Sequence, residues 1–280
     1  MSSDWIDSVN QKLGPARISD LSRYIDPSYL QEDYSPIDRF YLSTQELLRI
    51  STPEFIENNS PLWPLILVGF VSATENYFRE IFSQLLHICP IAKNKSTEKK
   101  INIASALWYG RNFVARGAFE DYSFASASTI TKTCSDYLGH NLKCAKKEDS
   151  IFIEFDKICE LRHCIVHCNS IIGGKNAIKL GLRNDNDNTV KVSIDYSKLQ
   201  ECGLICTTLV TSVNTELFEL IVRRWATEWP RLPSWDPKDE FILFKKIWKL
   251  FYSHIDFQNN SIVCELSIRK CRNRAKQFYK

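Results

Sequence analysis

The sequence has no apolar run that would cross a membrane. Its longest, "PLWPLILVGFV" at 61–71, contains two prolines and falls far short of the roughly 20 residues a membrane helix needs. The opening "MSSDWIDSVNQ" is polar and acidic and does not read as a secretory signal. The ten cysteines include no C-x-x-C pair, so neither a zinc ribbon nor a redox motif is indicated. No internal repeat and no low-complexity segment is visible. These absences lead to the expectation of a cytoplasmic protein with reduced thiols and no membrane partner.

What is present is an ordinary globular composition over 280 residues, 44% hydrophobic and 25% charged, enough for one large core or two modest ones. The net charge of +3 names no partner, but its distribution is uneven. Residues 1–60 hold ten acids and five bases, whereas 223–280 hold thirteen bases and six acids. The closing "RKCRNRAKQFYK" has six Lys or Arg and no acid. Such a tail is either a solvated helix end or a surface for phosphate backbones, with Arg269, Lys270, Arg272, Arg274, Lys276 and Lys280 as the candidate RNA contacts.

Periodicity predicts a mainly α fold. Residues 1–60 read as short helices and loops. From Pro64 to Pro90, apolar residues recur at helical spacing (Leu67, Phe70, Val71, Tyr77, Phe78, Ile81, Phe82, Leu85, Leu86), which predicts a long, mostly buried helix. "STEKKINIASALWYG" reads as a helix capped at Ser96 or Thr97, and "FASASTITKTCSDYLG" as a weaker one ending at Gly139. A strong helix should end near Asn169, followed by a turn at Gly173–Gly174. A small β-hairpin or an irregular loop is expected near 180–196, where Val190, Val192 and Ile194 alternate. Helix resumes over 198–225, breaks at "RLPSWDP", and returns as an aromatic amphipathic helix in "KDEFILFKKIWKLFYSHI".

The densest chemistry is "CELRHCIVHCNS" at 159–170. At about 100° per residue, His163, Asp156, His167 and Glu160 fall on one stripe with Arg162 at its edge. Leu161, Ile165, Ile158 and Cys168 gather opposite. Three readings of the stripe stand side by side. As a metal site, His163 and His167 at i, i+4 would supply two ligands and Asp156, Glu160 or a residue distant in the chain a third, with Arg162 repelling the cation. As an ordinary solvated face, the groups would pair with neighbours. As a catalytic site, His167 would act as general acid or base and Arg162 would hold a phosphate in its planar fork of donors.

The run Arg162-His163-Cys164-Ile165-Val166-His167 resembles the R-x4-H signature of the HEPN superfamily, with Glu160-Leu161 before it. The earlier "VGFVSATENYFREIF" resembles the first core helix of these domains through Ser72, Ala73, Glu75, Tyr77 and Arg79. The resemblance covers roughly 62–226 and leaves both ends uncovered. It implies a HEPN-like helical domain at 61–228, with an N-terminal extension (1–60) and a C-terminal helical extension (229–280). It also implies a homodimer in which two motifs face one cleft. Many relatives are metal-independent endoribonucleases of toxin–antitoxin or antiphage systems, with RNA as substrate, no cofactor, and a neutralising or sensor protein as partner. Carried over by position, Arg162 and His167 are the catalytic pair. His163 departs from the Asn or Asp common after the arginine, and would assist or merely orient. Glu160 and Asp156 would orient a histidine or be plain exposed acids. Some relatives have lost catalysis, so a non-catalytic binding module is the alternative.

Overall fold

The computed structural model describes residues 8–11, 13–28, 32–146, 150–183 and 188–279. Contacts divide the chain into two compact units, Met1–Asp33 and Tyr34–Lys280. In the first, a 3-10 turn at Leu21–Tyr24 is capped by Asp20, whose carboxylate accepts from the Ser22 N–H at 3.0 Å.

That second unit is mainly helical. Its helices are α1 (Pro36–Ile50), α2 (Pro53–Asn58), α3 (Trp63–Ile88), α4 (Pro90–Lys95), α5 (Ile103–Gly117), α6 (Ala127–Thr133) and α7 (Ile151–His167). They continue as α8 (Gly174–Lys179), α9 (Tyr196–Thr227), α10 (Glu240–Phe251), α11 (His254–Gln258) and α12 (Ile268–Phe278). No β-strand forms among the described residues.

The core is built on α3 and α9. All nine apolar positions anticipated on α3 are buried, each contributing about 2 kcal/mol of transfer free energy. This helix packs against α1, α5, α7, α9 and α10. Gly69 permits the α1 approach, because a Cβ there would meet Leu47 at 2.8 Å. On α9, the Asp195 side chain caps the first turn, and Leu199, Cys206, Leu209, Val210, Val213, Leu217 and Ile221 are wholly buried. The stretch Tyr196–Arg231 is long and apolar enough to cross a membrane by composition, and half of its most apolar window is buried within the protein.

Capping and tertiary pairing revise several local expectations. The helix anticipated from Ser96 or Thr97 starts instead at Ile103, because Asn102 caps it by accepting from the Ala104 N–H at 2.9 Å. Ser96 closes the preceding α4. Gly139, at φ 61°, ends the α6 region after a π-helical turn at Cys134–Leu138, as its placement suggested. Gly173 and Gly174 do not make a simple turn but open α8. Among the described residues there is no hairpin near 180–196, and residues 184–187 of that range lie outside them. The alternating segment pairs backwards instead: Ile171 and Lys191 form an antiparallel bridge, with Ile172 N–H on the Val190 carbonyl at 2.9 Å and Val192 N–H on the Ser170 carbonyl at 2.8 Å. The aromatic helix after "RLPSWDP" stops at Phe251. Asp38 of α1, fully buried, accepts there from Ser253 Oγ (2.7 Å) and from the backbone N–H groups of His254 (3.0 Å) and Ile255 (3.3 Å).

Candidate active site

Helix α7 carries the R-x4-H run and is fixed from below by Phe152, Phe155, Ile158, Cys159 and Cys164, all buried. Its end is abrupt. Asn169 (φ 50°) and Ser170 (φ 64°) adopt left-handed conformations, and the Ser170 N–H returns to the Cys164 carbonyl at 3.0 Å. The chain then makes the bridge to 190–192 and enters α8, which packs back on α7. A second wall comes from the 119–127 loop, held by three charged side chains. Arg79 donates to the carbonyls of Phe119 (3.4 Å) and Tyr122 (3.1 Å). Glu75 accepts from Ser123 Oγ and Ala125 N–H, both at 3.1 Å. Asp156 accepts from the Ala127 N–H at 2.7 Å, capping α6 where Ser126 makes no side-chain cap.

Between these walls lies a cavity of about 190 Å³ lined by Arg162, His163, Glu160 and Cys159 of α7, Lys175, Asn176 and Lys179 of α8, and Ser123 and Ala125. Arg162 is half-buried, and its Nε is cut off from solvent with no hydrogen-bond partner. Leaving such a donor unpaired costs about 1–3 kcal/mol, more for a charged group. His163 and His167 are exposed, and their rings stand 4.8 Å apart at 49°. His167 does not line the cavity, so within one chain Arg162 shares it with His163 and not with the histidine five residues on.

The two carboxylates expected either to orient a histidine or to be plain exposed acids are bonded elsewhere. Asp156 is the α6 cap just described. Glu160 accepts from Asn176 Nδ2 at 2.7 Å and forms an ion pair with Lys179. Neither makes a described hydrogen bond to a histidine. Among the described residues no group of three or more His, Cys, Asp or Glu converges as a metal site. Burial pushes the Cys159 and Cys164 thiols up, away from the thiolate form that binds metals. Lys175, Asn176 and Lys179 were not anticipated from the sequence. The one signal for them is two lysines four apart in "GGKNAIK", directly after the turn.

The tail residues fall in different surroundings. Arg272 donates to both oxygens of Glu240 (2.8 and 3.1 Å), and Lys276 reaches the same carboxylate at 2.6 Å. Arg269 and Arg272 lie over the Phe241 ring, at 5.9 and 5.7 Å. Arg274 approaches Cys264 Sγ at 3.8 Å. The backbone N–H of Lys270 is held by the Ser267 cap, and Lys280 lies outside the described residues.

No family model, curated protein or solved structure matches this chain.

Proposed function

We propose that the chain is a metal-independent endoribonuclease of HEPN type. In this reading it acts as a homodimer in the cytoplasm, as a toxin or antiphage-defence effector restrained by a neutralising or sensor protein. The observation that carries it is Arg162, a guanidinium with a buried, unpartnered donor in a small cavity, followed on the same helix by two exposed imidazoles. A planar cation that lines the cavity with no described acid partner suits a phosphate, which can meet its fork of donors there. His167, as base, takes the proton of a ribose 2′-hydroxyl. That oxygen attacks phosphorus, the P–O5′ bond breaks, and the departing 5′-oxygen takes a proton from an acid. Arg162 stabilises the charge that builds on the phosphoryl oxygens. The products are a 2′,3′-cyclic phosphate and a 5′-hydroxyl end. One chain does not bring Arg162 and His167 into one cavity, so a second copy of α7 across a two-fold axis supplies the opposing groups.

The same separation favours a second reading, in which the module binds an anion without cleaving it. One experiment divides the two: purified protein is incubated with total RNA in EDTA and the fragment ends are analysed. Cyclic-phosphate ends that disappear in His167→Ala and Arg162→Ala, return poorly in Arg162→Lys, and come from a dimer by light scattering are expected. Loss of cleavage in EDTA with rescue by zinc overturns the acid–base scheme. RNA binding that needs Arg162 without any cleavage selects the binding module.

A further inference from the structure

The geometry points to a phosphate subsite completed by α8, in which Lys175 joins Arg162 on an RNA backbone phosphate and Glu160 competes internally for Lys179. This rests on RNA being the ligand, as proposed above. Three cations line the cavity (Arg162, Lys175 and Lys179) against one carboxylate, Glu160, so it carries a charge excess before His163 is counted. Lys179 and Asn176 both spend their side chains on Glu160, which leaves Arg162 and Lys175 without a described acid partner. The free space, about 190 Å³, lies below the ~300 Å³ at which pockets begin to hold drug-sized ligands. No Phe, Tyr or Trp lines it, and the one ring among its walls is the His163 imidazole. With three cations and one carboxylate among its walls, the cavity favours a compact anion by charge. The subsite should therefore hold the chain by its phosphates and be indifferent to sequence.

The measurement is fluorescence anisotropy of a 2′-O-methyl RNA 12-mer, which lacks the attacking hydroxyl, on the His167→Ala background at several salt concentrations. Each phosphate contact contributes about 0.7 to the log–log salt slope for single strands. Lys175→Gln should flatten the slope by about 0.7 and weaken binding about fivefold at 0.1 M salt, a slope difference of 0.7 being a factor of about five per tenfold change in salt. Glu160→Gln keeps an acceptor for Asn176 and releases Lys179, so it should steepen the slope by a similar amount and tighten binding. Oligo-A and oligo-U should bind within about threefold of one another, because the contacts are to phosphate. An unchanged slope in Lys175→Gln, weaker binding in Glu160→Gln, or strong discrimination between the two sequences overturns the subsite. Because the ligand cannot be cleaved, these results are independent of catalysis. The expected shifts on the His167→Ala background, with a wild-type protein that cleaves no RNA, would keep the subsite and remove the nuclease. Cleavage that depends on Arg162 and His167, without the shifts, would do the reverse.

Discussion

On α12, Arg272 and Lys276 converge on Glu240, whereas on α7 Arg162 keeps a buried nitrogen with no acceptor at all. The two regions hold the same side-chain chemistry under opposite electrostatic conditions. The tail is the more basic stretch in the sequence, yet α10 brings a carboxylate to it, and the rings of Phe241 and Trp225 lie beneath its cations. The acid that lines the cavity with Arg162, Glu160, is already engaged by α8. A run of Lys and Arg therefore says little about which cations are available to a ligand. Availability is set by whether an acid lies within reach in three dimensions.

The sharpest break in that comparison comes from removing one arginine on each side. Arg162→Met should lower single-turnover cleavage by about 10²–10³-fold, the usual loss for one donor to a developing charge. It should leave folding stability unchanged or higher, because an unsatisfied buried donor disappears. Arg272→Met should do the opposite. Losing a bidentate bond to Glu240 costs about 1.5–3 kcal/mol in a urea titration, with cleavage within about twofold of the parent. Equal stability losses in the two variants would erase the distinction between a structural and an available cation.

A third acid extends the comparison to pH. Glu216 accepts from His140 Nε2 (2.7 Å) and from the backbone N–H groups of Lys143 (2.6 Å) and Cys144 (3.0 Å). Burial pushes its carboxyl up, but these donors together outweigh burial and hold it at about 2, against an ordinary 4.5. A carboxyl depressed in the folded state contributes fully above its unfolded value, and the contribution fades as pH falls toward the folded one. The stability gap between the parent and Glu216→Gln should therefore be about 1–3 kcal/mol at pH 7 and narrow progressively below pH ~4.5. Denaturant titrations at pH 7, 5, 4 and 3 measure it. A constant gap would show that the donors do not depend on the charge.

The smallest effect is expected from the tail. Lys276→Gln, measured with the same uncleavable RNA, should flatten the salt slope by less than the ~0.7 expected of Lys175→Gln, because Lys276 is held on Glu240. A larger change at Lys276 would make the tail an RNA surface and reverse the ranking of the two regions.

Periodicity alone determined the buried face of α3, because a strip of Phe, Leu, Ile and Val at helical spacing has few ways to leave water. It likewise placed Arg162, His163 and His167 on a helix whose apolar side is buried. Helix starts were less legible. Asn102 capped α5 where Ser96 looked equally able, since both residue types cap well and tertiary packing chose between them. The 190–194 alternation marked an extended segment but not its partner, which only the left-handed turn at Asn169 and Ser170 brought alongside. The site depended most on the tertiary structure. A helical wheel put Asp156 and Glu160 beside the histidines, but the wheel contains one helix only. Folding set the Ala127 N–H against Asp156 and Asn176 and Lys179 against Glu160, and a carboxylate turns to the donors it meets. The sequence fixes which charges a helix carries; packing decides which of them still lack a partner, because acceptors distant in the chain become neighbours only when it folds.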